Sequence, residues 1–190
     1  MPSYDFSLNV ISAKLACSNV SAQPHFSKDI TPECDAMSFS KRIQEMVAAV
    51  ERGNATAVAA CFTPDGIYHD VFYGDFQGDG IADMIANYFY RDATDFRWDI
   101  HDAVEQAGIG YARYVFSYQP KTTDAAQGRA IFEGVAICQM QDGLIADYRE
   151  VANAAVGLQC TGFPPERLAK FIGKQSTELQ TRPESARHIS

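Results

Sequence analysis

Basic residues are scarce in this chain: 16 Lys and Arg stand against 24 Asp and Glu, for a net charge of −8. A surface that follows nucleic-acid phosphates needs clustered Lys and Arg, so nucleic acid is not expected as a partner. Long apolar runs are missing too, since none approaches the roughly 18 residues of a membrane span. At the N-terminus Asp5, Asn9, Lys14 and Ser18 interrupt what an export signal keeps apolar. The expectation is a cytoplasmic protein with no membrane partner. The five cysteines, Cys17, Cys34, Cys61, Cys138 and Cys160, lie far apart with no C-x-x-C pair, so they read mostly as small buried hydrophobes rather than zinc or redox centres. Gly74, Gly78 and Gly80 lack the lysine and strand context of a phosphate-cradling loop, and no serine or cysteine stands beside a histidine arranged as its base. Neither a cofactor nor covalent catalysis is expected.

What the chain has in quantity is apolar mass. With 46% hydrophobic and 12% aromatic residues in 190, it can bury one core, as a single domain of this length does. Ser38-Phe39-Ser40-Lys41 offers N-caps, and Ile43, Met46, Val47 and Val50 recur at helical spacing until Gly53, which predicts a first helix. A second short helix runs from Asn54 to Phe62 and stops at the turn cluster Thr63-Pro64-Asp65-Gly66. Ile67 to Phe72 reads as a strand, and the Gly-rich stretch 73–80 leads into a third helix from Ile81 to about Tyr90. The period then changes to two. Segments near 94–106, 109–120, 127–141 and 144–154 predict four long strands, divided at Gln106-Ala107-Gly108, by a Pro120-to-Gln127 loop, and at Gln141-Asp142-Gly143. A last helix is predicted from Pro164 to about Gln175, with a polar, frayed tail over 176–190.

The order is therefore ααβαββββ, and the domain spans 38–175. Residues 1–37 fall outside the pattern. They leave open a poorly ordered appendage, a mis-assigned start with Met37 as the true one, or a strand that pairs along a sheet edge.

Side chains alternate across a strand, so Tyr68, Asp70 and Phe72 share one face, while Ile67, His69 and Val71 share the other. The same parity groups Ala146, Tyr148 and Glu150. With both sets facing a concave interior, two carboxylates and two phenols converge in an apolar cup walled by Met46, Phe89, Tyr114, Phe116, Phe132 and Ala136. Carboxylates paired at low dielectric repel and are poorly solvated, so at least one is expected to titrate well above its ordinary value and to suit acid–base work. The alternative is structural, with both satisfied by Tyr68, Tyr148 or Arg149. Gly134 and Ala136 on the inner face imply either room for a ligand or the needs of sheet curvature and helix packing. His69 and His101 each precede an aspartate but fall outside the cup by parity, so no metal is expected. Arg97, Asp99 and His101 alternate with Phe96, Trp98 and Ile100, and the open face of the long strands is expected to form a symmetric homodimer.

The element order, the string Phe62-Thr63-Pro64-Asp65-Gly66-Ile67-Tyr68-His69-Asp70 and the strand-turn-strand around Gln141-Asp142-Gly143 together resemble the nuclear transport factor 2-like superfamily over roughly 38–155. The resemblance implies an α+β fold in which a strongly bent, mixed or antiparallel sheet wraps N-terminal helices into a cone with an apolar pocket. Its members include ketosteroid isomerases, limonene-epoxide hydrolases, SnoaL-like polyketide cyclases and non-catalytic binders, so the fold alone does not name an activity.

By resemblance to the ketosteroid isomerases, Asp70, five residues after Asp65, takes the place of the general base. The positions of that family's two oxyanion donors carry Met46 and Ala136, which donate no hydrogen bond. By resemblance to limonene-epoxide hydrolase, Tyr68 and Asp70 take the water-placing positions and Tyr148-Arg149-Glu150 makes Glu150 the counterpart of a catalytic aspartate. Its remaining Arg and Asp fall at Tyr114 and Phe116, with Arg113 one residue away.

The resulting reading is a small hydrophobic organic molecule held in a closed pocket. It is acted on by a cofactor-independent isomerase, cyclase or hydrolase, with Asp70 as general base and Tyr68 and Glu150 orienting or donating protons. The alternative is a non-catalytic carrier or sensor of the same fold. A deeply buried Asp70 already engaged by two strong donors favours that alternative.

Overall fold

The computed structural model describes residues 38–121 and 128–190. The expectations for 1–37 and for the centre of the Pro120-to-Gln127 loop lie outside the described residues.

Helix α1 (Phe39–Glu51) starts where Ser38 Oγ accepts from the Lys41 amide, and its apolar stripe buries Phe39, Ile43, Met46, Val47 and Val50. Helix α2 (Ala55–Ala59) is capped in the same way by Asn54, whose Oδ1 accepts from the Ala57 amide at 3.0 Å. The turn cluster that ends α2 does not stand free. Strand β1 (Phe62–Asp70) absorbs it, and the register against its neighbour shifts between Phe62 and Ile67. Such a bulge tolerates Pro64 inside a strand. Gly66 is required there, because a Cβ would approach the Ile145 carbonyl oxygen to 2.9 Å.

A short strand β2 (Gly74–Gln77) then doubles back on β1, pairing Asp70 with Gly74 and Ile67 with Gln77. It is absent from the predicted order because four residues beside glycines carry no readable alternation. The third helical segment is α3 (Gly80–Met84), a π-helical turn (Ile85–Phe89) and α4 (Tyr90–Asp92) in succession.

Strands β3 (Ala93–Gln106), β4 (Ile109–Pro120), β5 (Ala130–Gln141) and β6 (Leu144–Ala152) follow the period-two pattern. They form an antiparallel ribbon, and β1 joins its β6 edge in parallel. The sheet order is β2-β1-β6-β5-β4-β3. The architecture is α+β, with a curled, unclosed six-stranded sheet holding the N-terminal helices. Helix α1 packs on β3 and β4, and Phe39 lies so close to Gly110 that a Cβ there would come within 2.5 Å of its ring.

Two departures fall at the C-terminal end. The segment after β6 is not strand to 154 but helix α5 (Ala154–Cys160), which packs on β5 with Gly157 against the Phe132 ring. The last helix α6 (Pro165–Thr181) continues past Gln175, and a 3-10 turn (Pro183–His188) follows it. Helix α6 buries none of its residues. No helix among the described residues is long and apolar enough to cross a membrane.

Candidate functional site

The concave face of the sheet is not filled to its end. A cavity of about 650 Å³ remains, walled by β1, β3, β4, β5 and β6 and by the segment joining α5 to α6. Its walls are mainly aromatic, with Phe72, Phe89, Phe96, Trp98, Phe116 and Phe132 on the inner side and Phe163 at the mouth. The rings meet both edge-on and stacked, as ring quadrupoles allow: Phe116 and Phe132 cross at 70° and Phe72 and Phe132 at 75°, while Phe96 stacks on Phe89 and Phe116.

Asp70 ends β1 at the inner wall. Its Oδ1 accepts from the backbone amides of Phe72 at 2.8 Å and Tyr73 at 2.9 Å, the local geometry by which an aspartate turns the chain into β2. Both bonds fall on Oδ1, and among the described residues Oδ2 has no hydrogen-bond partner. The residue is 8% exposed and lines the cavity. Burial pushes its pKa up to about 6, against the pull of the Tyr73 and Phe72 amides and the more distant charge of Lys174.

Glu150, near the end of β6, faces the same space. Its Oε2 accepts from the Tyr114 hydroxyl at 2.6 Å and the Tyr148 hydroxyl at 3.1 Å. Burial first, and the charge of Asp70 second, raise its pKa to about 7, while the two phenols work the other way. Tyr68 and Tyr148 stack at 4.4 Å between ring centroids. Burial and the neighbouring carboxylates keep both hydroxyls protonated far above the usual phenol range.

Asp70 and Glu150 are thus two buried carboxyls on one cavity, coupled through charge rather than through a hydrogen bond, with ionisation pushed up to about 6 and about 7. In that window one holds a proton and the other has lost it, the arrangement acid–base chemistry needs.

Of the residues expected at the site, Tyr68, Asp70, Phe72, Phe89, Tyr114, Phe116, Phe132 and Glu150 line the cavity. Phe72 does so from the turn after β1 rather than from the strand. Met46, Ala136 and Tyr148 are fully buried but are not lining residues. Met46 belongs to the apolar stripe of α1, Ala136 sits between Ala112 and Glu150 in the sheet, and Tyr148 reaches the site only through Glu150.

The space left by Gly134 is not ligand volume. The Tyr114 ring fills it, and a Cβ there would lie 2.5 Å from the Tyr114 hydroxyl. His69 lies outside the cup, between Asp75 at 2.7 Å and Asp147 at 3.1 Å. Among the described residues no three His, Cys, Asp or Glu side chains group as a metal would require.

Sequence reasoning did not select Phe96, Trp98, Tyr118, Tyr73, Asp92, Phe163 or Arg167, all of which line the cavity. For Phe96 and Trp98 the signal was present in their alternation with exposed Arg97 and Asp99. For Phe163 and Arg167 there was none, because their place depends on how the segment joining α5 to α6 folds back to the cavity. Trp98 Nε1 is buried without a partner among the described residues. Of the cysteines among those residues, Cys61 and Cys138 are buried and Cys160 is exposed.

Solved structures similar to this chain share its fold at low sequence identity. A protein of ketosteroid isomerase-like fold from Catenulispora acidiphila, solved in complex with trimethylamine, is 17% identical with a TM-score of 0.61, covering 68% of this chain and 98% of its own. TsrD from Streptomyces laurentii is 18% identical with a TM-score of 0.58, covering 70% and 100% respectively. An LEH-like epoxide hydrolase from M. tuberculosis is 14% identical with a TM-score of 0.52, covering 63% and 86%. No curated protein matches the sequence. The model of the SnoaL-like domain matches residues 43–148, more than half of the chain, and takes in Tyr68, Asp70, Tyr114 and Tyr148 but ends within β6, two residues before Glu150. The chain therefore belongs to the SnoaL-like domain family.

Proposed function

We propose that this protein is a cofactor-independent enzyme that moves a proton on a small hydrophobic molecule held in the aromatic cavity. Asp70 is the general base and Glu150 the acid. The observation that carries the reading is Asp70 Oδ2: an oxygen of a buried carboxylate, free of hydrogen bonds among the described residues, on the wall of a cavity of about 650 Å³. The Phe72 and Tyr73 amides hold the other oxygen and fix the group's direction without occupying the basic position. Protonated Glu150, oriented by Tyr114 and Tyr148, supplies the donor that Met46 and Ala136 do not. Tyr68 stacks on Tyr148 and orients it, while Phe72, Phe89, Phe116 and Phe132 bind the apolar body. Isomerisation, cyclisation and hydrolysis all accept this acid–base pair. The trimethylamine complex and the epoxide hydrolase of similar fold are consistent with a small organic ligand here.

The test uses an apolar ketone with exchangeable α-hydrogens, β-tetralone, in deuterated buffer. Wild type is expected to speed deuterium uptake, and Asp70→Asn to lose about a hundredfold of that, the scale of losing a general base. Equal rates for the two proteins overturn the role of Asp70.

A second reading, a carrier or sensor, is favoured by one observation. Asp70 Oδ1 holds two backbone amides and Glu150 holds two phenols, so both carboxyls have structural employment. Tight binding of tetralone without exchange supports the carrier.

The homodimer belongs to the same proposal. On the outer sheet face Val135 and Val151 are cross-strand partners, 37% and 65% exposed, with Ile131 and Tyr111 nearby on β5 and β4. These apolar side chains alternate with exposed Glu133 and Arg113, and a mixed face of this kind suits a self-complementary interface.

A further inference from the structure

We propose that the cavity takes an apolar organic ammonium, a protonated amine on an aromatic or alicyclic body, with its charged nitrogen set against Oδ2 of Asp70. The inference rests on the proposed function only in treating the cavity as the ligand site, and it holds for an enzyme or a carrier.

Among the described residues, four ionisable side chains other than phenols line the cavity: Asp70, Asp92, Glu150 and Arg167. Asp92 is already paired, accepting from the Tyr73 hydroxyl at 2.9 Å and from Arg91 at 2.6 Å. Glu150 accepts from two phenols. Arg167 is exposed at the mouth, where its guanidinium lies 4.6 Å from the centre of the Phe163 ring. Lys174 on α6 is the cation whose charge Asp70 feels, yet its ammonium pairs with Glu178 at 3.5 Å. Among the described residues Asp70 has no ion-pair partner, although it is nine-tenths buried.

A buried carboxylate with an open oxygen is costly unless a proton or a cation accompanies it. The surroundings choose between ligands. Electron-rich faces of Phe72, Trp98, Phe116 and Phe132 attract a desolvated cation, most strongly over an indole. An anionic ligand meets Asp70 and Glu150 with repulsion at low dielectric, and a neutral ligand gains apolar contact and an uncharged hydrogen bond but no charge attraction. The signature is therefore charge selectivity at constant shape.

Three probes of one shape separate these cases: adamantylmethylamine, adamantylmethanol and adamantanecarboxylate, titrated calorimetrically into the full chain near neutral pH. The expected order is amine, alcohol, carboxylate, with the amine ahead of the alcohol by about tenfold or more, the scale of one charge-assisted hydrogen bond. In Asp70→Asn the amine's lead is expected to disappear while the alcohol is unchanged, since an asparagine Oδ1 still accepts from Phe72 and Tyr73.

Equal binding of amine and alcohol by wild type, or a lead that survives Asp70→Asn, overturns the inference and leaves the pocket reading intact. Failure of all three probes overturns both. The wild-type comparison decides on its own should a variant fold poorly.

Discussion

The Tyr114 hydroxyl on β4 reaches Glu150 Oε2 on β6 at 2.6 Å by lying across Gly134 of the strand between them. The glycine is a condition of the hydrogen bond. In Gly134→Ala the new Cβ would sit 2.5 Å from the hydroxyl and 2.9 Å from the Val151 carbonyl oxygen, so the ring must leave. The expected cost is about 1–3 kcal/mol of stability in urea denaturation, the range for overpacking. Tyr114→Phe keeps the ring and removes only the donor, at about 1 kcal/mol. In both variants Glu150, having lost a hydrogen bond to its charged form, titrates above its present value of about 7. A Gly134→Ala protein as stable as wild type contradicts this account of the strand.

Stability against pH has a defined sign for Asp70. Its pKa rises from 3.8 to about 6 on folding, so between those values the folded state binds more protons than the unfolded state. Its favourable contribution is complete below about pH 4 and is lost as pH rises through about 6, a difference of about 3 kcal/mol. Asp70→Asn is expected to match wild type near pH 4 and to be the more stable of the two at pH 7 and above. Thermal unfolding of both from pH 4 to pH 8 measures it. A variant much less stable at neutral pH would show an ionised structural anchor, and the assignment as base would fall.

Helix α6 packs on α5 and meets the aromatic wall through Phe171, which stacks on Phe72 at 5.5 Å. Phe171→Ala removes a contact worth about 1 kcal/mol. Hydrogen exchange over 165–181 is expected to speed up several-fold while the strands keep their protection. Ligand dissociation should quicken in the same variant. Unchanged exchange in α6 contradicts its dependence on this pair.

On the outer face, Val151→Glu places a charge in the middle of the proposed interface, beside its partner Val135. Light scattering is expected to give a dimer for wild type and a monomer for the variant, with no change in helix and strand content. A monomeric wild type at micromolar concentration removes the dimer.

The parity of two strands was enough to put Asp70 and Glu150 on one wall, because period-two alternation survives in β1 beyond its bulge and in β6 beyond the register shift between Ile145 and Asp147. The same rule failed where regularity ends. Phe72 lies past the strand, β2 is too short to show a pattern, and the fate of Gly134 turned on which ring, not which ligand, fills its missing side chain. The α5 and α6 walls were illegible for another reason. Helix α6 buries no residue, so its sequence records little of the face it turns inward. Met46 and Ala136, expected on the wall of the cup, are fully buried and are not among its lining residues.

The central claim is that the cavity holds two coupled carboxyls poised near neutrality, with Asp70 the first to ionise. Carbon-13 NMR of the carboxyl carbons, followed through titration, reads this directly. The account predicts two transitions, near 6 for Asp70 and near 7 for Glu150. In Asp70→Asn the first disappears and the second moves down, since the charge of Asp70 helps to raise it. Both carboxyls ionising in the ordinary range, near 4, would contradict it.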